Sequence, residues 1–221
     1  MADNLPASPI DICNLSLTEL KTDPIESLDQ EGSTTAELCK RHYDLTRQKI
    51  LRSHVWNFAK SELSLARATN ATSVSFPDVY PLASAYIRLI SIGDVLVGSK
   101  RCDFDIRSVL VDSAYKTSIV IDNNGGATLD IVLIRNVTSV SEFDALFTVL
   151  FKFELAAAIA PGLTLKPSVK KSIKEDLDDA RLQARGIDGQ ERPPVRTNNS
   201  KFLNARRYAL RRRPIVKTDF E

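Results

Sequence analysis

Between Ser8 and Leu20 the apolar positions Ile12, Leu15 and Leu20 make a narrow helical stripe, with Pro9 just inside its start and Asp23-Pro24 closing it. A second, longer helix is predicted from Ser33 to about Ser53. Thr34, Thr35 and Glu37 suit its first turn, and Ala36, Cys39, Tyr43 and Ile50 form its apolar face. Lys40, Arg41, Arg47, Gln48 and Lys49 take its solvent side. Past Val55 the pattern changes. Asn70 to Ser75 reads as a loop, and Pro77 and Pro81 impose extended or turning backbone. β-rich runs follow at Tyr86–Ile92, Asp103–Val111, Thr117–Ile121 and Thr128–Ile134. The last two flank Asp122-Asn123-Asn124-Gly125-Gly126, whose tolerance of positive φ predicts a hairpin with Leu129, Ile131 and Leu133 on its core side.

Helical spacing returns after Ser141, an expected N-cap with Glu142 and Asp144 in the first turn. Phe143, Leu146, Phe147, Leu150, Phe151, Phe153 and Leu155 are apolar on most sides, which predicts a central buried helix ending at Pro161-Gly162. A fourth helix, Pro167 to Arg185, offers Val169, Ile173, Leu177, Ala180 and Ala184, with Gly186 as its C-cap. Gln190 to Ser200 carries Pro193-Pro194 and no periodicity, a linker before a basic tail. The expected fold class is α+β, an antiparallel helical bundle body with an inserted small antiparallel β-domain and an extended C-terminal arm. Residues 1–59 and 141–187 would form the body, 60–140 the insert, and 188–221 the linker and arm.

Composition adds little to this until charge is resolved along the chain. Net charge is only +2, yet Arg192 to Glu221 holds nine Lys/Arg against two acids, so the preceding residues are net negative. The three cysteines, Cys13, Cys39 and Cys102, are too widely spaced for a metal-binding pair of motifs and fit a reducing compartment. Met-Ala-Asp-Asn-Leu-Pro has neither a basic nor an apolar region of a secretion signal. Asp144, Lys152 and Glu154 interrupt the most apolar stretch, Phe143 to Ala160, and argue against a membrane span.

No catalytic constellation emerges, and the chain reads as a non-enzyme without metal or cofactor. His42 and His54 lie twelve residues apart on one helical stretch and read as solvated or capping. Gly125-Gly126 lacks the Lys-Ser/Thr and helix of a phosphate loop. Glu175, Asp176, Asp178 and Asp179 read as a solvated helix face with Lys174 and Arg181 at helical spacing, and Asp103, Asp105 and Asp112 are scattered along strands. The basic tail interleaves Arg206, Arg207, Arg211, Arg212 and Arg213 with Phe202, Tyr208 and Leu210. Charge alone leaves it open as a nucleic-acid arm, a protein-docking arm or a solubilising tail.

A longer pattern narrows this. Ile12-Cys13-Asn14 opens the first helix, Ala36 to Tyr43 lies in the second, and Leu51-Arg52-Ser53-His54-Val55-Trp56-Asn57-Phe58-Ala59 closes it. Leu63-Ser64-Leu65-Ala66 and Tyr80-Pro81-Leu82-Ala83-Ser84-Ala85-Tyr86-Ile87-Arg88 follow. This order resembles the tail tubular protein A family of short-tailed phages, the head-to-tail adaptor or connector proteins. Ala83 stands where a second proline is usual and Ala85 where an acid is usual. The likeness covers Ile10 to Arg88 by motif and the closing helices by arrangement only. It implies a structural subunit of a dodecameric ring in the virion, assembled in the host cytoplasm and not membrane-bound. Such a ring joins the portal protein to a tail nozzle or fibre protein, and genomic DNA passes through its lumen without sequence-specific binding. Cys13, Asn14, Trp56, Asn57, Phe58 and Ala59 carry the family motif, with Trp56 and Phe58 sealing the helix exit. Phe202, Arg206, Arg207, Tyr208, Leu210, Arg211, Arg212 and Arg213 become a portal-docking arm. The alternative is a DNA-binding protein that uses that arm on phosphates.

Overall fold

Ser8 accepts the Asp11 N–H on its hydroxyl while the Asp11 carboxylate accepts the Ser8 N–H, a reciprocal cap that starts helix α1 (Pro9–Glu19). Ser33 caps α2 (Thr34–Ser53) through the Ala36 N–H. The computed structural model describes residues 6–73, 76–83, 86–93, 95–96, 104–121, 126–163 and 167–191. After α2 a 3-10 turn, Asn57–Ala59, hands the chain to β1 (Lys60–Ala66). The strands β2 (Ala71–Thr72), β3 (Asp78–Pro81), β4 (Tyr86–Ile92), β5 (Val95–Leu96), β6 (Phe104–Val111), β7 (Ala114–Ile121) and β8 (Thr128–Arg135) precede helices α3 (Ala145–Ile159) and α4 (Pro167–Gln190). Met1–Asp188 form one compact unit, and Gly189–Glu221 a second that adds only the end of α4 and Glu191 to the described residues.

The strands make two four-stranded antiparallel sheets, ordered β1-β8-β4-β5 and β2-β6-β7-β3. Between them Tyr80, Leu82, Leu89, Ile119, Ile131 and Leu133 close one core. The opposite side of β8 and β4 contributes Ile134, Ile87 and Ile90 to the core of the helices, beside Ile12, Leu51, Trp56, Phe147 and Phe151. Simple alternation along Tyr86-Ile87-Arg88-Leu89-Ile90-Ser91-Ile92 cannot serve both cores. Two register shifts in the β4–β8 pairing, at Tyr86/Arg88 and Leu89/Ser91, solve this by letting Ile87 and Ile90 join the helices and Leu89 and Ile92 the inter-sheet core.

These contacts overturn the expected helical bundle body with a small insert. Among the described residues the fold is α+β with four helices and two antiparallel sheets, and about 27% of those residues are strand. The physical reason is that the helices bury their apolar faces partly on a sheet, through Ile134, Ile87 and Ile90, and not on one another alone. The expected hairpin also fails. β8 pairs with β1 and β4, and β7 pairs with β6 and β3, so the two strands belong to different sheets. β7 forms its hairpin with β6 instead, turning on Asp112 and Ser113, both at positive φ (51° and 64°). Two left-handed central residues match the strand twist, and a polar Asp tolerates that conformation.

Local differences follow the same logic. Asp144, not Ser141, caps α3, because its carboxylate accepts the N–H groups of Leu146 and Phe147; Ser141 lies in a 3-10 turn. Leu15, expected on the first apolar stripe, is exposed, while Cys13 and Leu17 are buried. β1, unforeseen, pairs along its whole length with β8. Pro161-Gly162 closes the α3 region as expected, and a Cβ on Gly162 would lie 2.8 Å from a methyl of Leu38, so a larger residue there would have to displace the end of that side chain on α2. α4 runs straight through Gly186 to Gln190, for a reason found at its far end.

Candidate functional site

Trp56, Asn57, Phe58 and Ala59 of the motif lie at the exit of α2. Trp56 is 1% exposed, and its Nε1 donates to the Ile50 carbonyl oxygen at 3.0 Å, one of the acceptors left open as the helix ends. Its ring meets Phe147 edge-on at 5.2 Å and His54 at 4.8 Å, and Phe58 meets Phe147 at 4.9 Å. These are the tilted arrangements that ring quadrupoles favour. Ala59 is fully buried beneath them. Asn14 works elsewhere. Its side-chain amide pairs with the backbone of Ile25, Nδ2 to O at 3.0 Å and N to Oδ1 at 2.9 Å, pinning the α1–α2 connection to α1. Cys13 and Cys39 are buried free thiols.

Asn57 and His54 explain α4. The Asp188 carboxylate accepts the Asn57 backbone N–H at 2.8 Å and lies 2.8 Å from His54 Nε2, while the Asp188 carbonyl accepts Asn57 Nδ2 at 2.9 Å. One turn earlier, Arg185 Nη2 donates to Ser53 Oγ at 3.2 Å. An acid in the last turn of a helix opposes the helix dipole, so Asp188 is stable there only with such donors. That misplaced charge was the available signal in the sequence; its partners, 131 and 134 residues away, were not. His54 is thus the C-cap residue of α2, as one of the two expected readings had it, with its ring half-buried against Asp188 and not solvated. An Asp–His pair is a familiar catalytic element, but here Asp188 spends its oxygens on fastening α4, and neither surface groove described below includes the pair.

Two further charged nodes stitch the helices. Glu154, the acid inside the apolar run of α3, is buried and accepts from Lys49 of α2 at 2.8 Å and Arg181 of α4 at 2.6 Å. Burial pushes its carboxyl up, but the hydrogen bonds and charges of Lys49 and Arg181 outweigh that and hold it below the ordinary glutamate value. Lys152 pairs with Glu19 of α1 at 2.7 Å. By length and composition Ala145–Gly162 is apolar enough to cross a membrane, and half of that stretch is buried in the fold. Arg47, expected on the solvent side of α2, is 2% exposed. It donates to Asn136 Oδ1 at 2.6 Å, to the Val137 carbonyl and to Asp44 at 2.9 Å, tying α2 to the exit of β8. A buried guanidinium needs such acceptors, and they come from the chain 89 and 90 residues on.

Among the described residues no group of three or more His, Cys, Asp or Glu could hold a metal ion. The scattered acids have local partners: Asp178 with Arg181, Glu175 with Lys171, Asp176 with Ser172, Asp105 with Arg107 and Asp112 with Lys116. His42 is half-buried on α2. Two grooves of about 540 Å³ each lie on the strands. One is lined by Glu62, Ser64, Gly93 and Asp130 with their neighbours, the other by Leu82, Tyr86, Tyr115 and Thr117 with theirs. Tyr115, on the β6–β7 hairpin, is 79% exposed. The arm residues Phe202, Arg206, Arg207, Tyr208, Leu210, Arg211, Arg212 and Arg213, and also Asp103, Cys102 and Asp122 to Gly125, lie outside the described residues. Comparison with known proteins finds no family model that matches the chain and no curated protein that matches it.

Proposed function

We propose that the chain is a structural subunit of a bacteriophage head-to-tail adaptor, a ring between portal protein and tail nozzle. The observation that carries the reading is the ordered motif from Ile12 to Arg88, Ile-Cys-Asn, then Trp-Asn-Phe-Ala, then Tyr-Pro-Leu. Its residues are spent on internal fastening: Asn14 on Ile25, Trp56 on Ile50 and Phe147, Asn57 on Asp188. That use suits a scaffold whose chemistry is contact.

In this reading the basic segment from Arg192 docks on the portal. Phe202, Tyr208 and Leu210 anchor it, and Arg206, Arg207 and Arg211 to Arg213 pair acids around them. The test is sedimentation with purified portal rings, using the full chain, a chain truncated before Arg192, and the Phe202→Ala/Leu210→Ala double variant. The full chain is expected to co-sediment as a ring, and both altered chains to stay behind as folded protein. If the double variant binds portal unimpaired while the full chain binds duplex DNA with a steep salt dependence, the arm is a nucleic-acid arm and the docking reading falls.

A further inference from the structure

Among the described residues the two sheets end in four edge strands, and only β1 is left open to a further strand. β2 and β5 have two residues each. β3 has four, ends in Pro81, and its Val79 carbonyl already accepts the Ala68 N–H at 2.8 Å. Short strands, proline and covering loops are the means by which sheets block edge pairing. β1 has none of them. It pairs with β8 through all seven residues without a register shift, five of the seven are exposed, and no described strand pairs with its other side. Its two faces differ. Leu63 and Leu65 stand opposite Ile131 and Leu129 on the side of the inter-sheet core, where Leu63 is 42% exposed. Glu62 and Ser64 stand opposite Val132 and Asp130 on the other face, and Glu62 and Asp130 make the groove there negative.

A strand that suits this edge is apolar and basic at alternate positions. The sequence beyond the described residues holds one. Arg207, Ala209 and Arg211 alternate with Tyr208 and Leu210, and no proline stands between Lys201 and Arg213. We propose that residues 207–211 of a second copy of this chain add as a strand to the free edge of β1. Tyr208 and Leu210 then lie over Leu63 and Leu65, and Arg207 and Arg211 on the side of Glu62 and Asp130. The description ends at Glu191, and residues 192–206 reach up to about 50 Å when extended, enough to cross to a neighbour. A strand handed from one copy to the next is a heterologous contact, the kind that closes rings, so the choice of a second copy rests on the adaptor reading. Tyr208 and Leu210 cannot fill β1 and a portal pocket at once. β1 therefore holds the arm in copies that have not met the portal.

The test uses the full chain without portal or DNA, followed by sedimentation and by hydrogen exchange of the β1 amides over a series of protein concentrations. Association is expected to rise with concentration, and the amides of residues 60–66 to gain protection over the same range. Ala209→Pro, which removes an N–H from the added strand and leaves the body's sequence unchanged, should abolish both. Glu62→Lys should shift association to higher concentration, and Arg207→Glu/Arg211→Glu in the same chain should shift it back. Protection that is absent at every concentration, or that survives Ala209→Pro, overturns the proposal. Protection independent of concentration assigns the edge to the chain's own arm and overturns the choice of a second copy. A chain that fails here and still co-sediments with portal rings loses this proposal alone. One that protects β1 as expected and ignores the portal loses the adaptor reading alone.

Discussion

At the scale of single residues, this molecule spends its most distinctive side chains on closing the gaps that helices and strands leave where they end. Trp56 is the clearest case, since one ring fills the core between α2 and α3 and its indole N–H satisfies the Ile50 carbonyl. Trp56→Ala should cost about 3–5 kcal/mol in urea or guanidinium unfolding, from lost burial and the cavity left behind. Trp56→Phe keeps a ring against Phe147 and removes one of the two donors to the Ile50 carbonyl, Ser53 Oγ remaining at 2.8 Å, and should cost about 0.5–1.5 kcal/mol from the hydrogen bond. Equal losses for the two variants would mean that the hydrogen bond, and not the packing, dominates. Arg47 belongs to the same scale. A residue type that usually marks a solvent face is interior here because Asn136, Val137 and Asp44 supply its acceptors.

At the scale of elements, α4 is held by polar anchors along one side. Arg181 reaches Glu154, Arg185 reaches Ser53, and Asp188 closes on His54 and Asn57. Two glycines, Gly186 and Gly189, weaken the last turn, so Asp188 is what keeps it helical. In Asp188→Ala the amides from Gly186 to Gln190 should lose hydrogen-exchange protection while those of α2 and α3 keep theirs. Protection that survives the substitution would assign the turn to its own propensity. Glu154 makes a pH prediction. Its carboxyl lies below the ordinary value in the folded chain, so the unfolded state binds the proton more readily. Its contribution is complete above the unfolded glutamate value and is lost as pH falls through the depressed folded value. Glu154→Gln should therefore flatten the acid limb of a stability-against-pH curve and leave the slope near neutral pH unchanged.

At the scale of the whole molecule, Ile134 is the hinge of the argument for a shared core. It sits on β8, whose neighbouring side chains Ile131 and Leu133 face the other sheet, yet it is fully buried among the helices. Ile134→Ala should destabilise by about 2–5 kcal/mol and shift Trp56 fluorescence and the far-ultraviolet strand signal together, in one transition. Separate transitions would mean that helices and sheets unfold as independent bodies.

The sequence by itself determined where α1 and α2 start and most of their apolar faces, because capping and i to i+4 bonding are decided within a few residues. Ser8, Ser33 and the aromatic run of α3 were legible for that reason. It also marked Trp56, Asn57 and Phe58 as a set without showing what they hold. Only the tertiary structure decided which strands pair, because a strand's partner is a non-local choice. Asn and Gly after β7 promised a hairpin, and the inter-sheet core instead sent β8 to β1 and β4. The same holds for Arg47 inside, Glu154 between two cations, and α4 carried past Gly186. Each depends on acceptors or donors supplied by chain 27 to 134 residues away, which no local pattern can display.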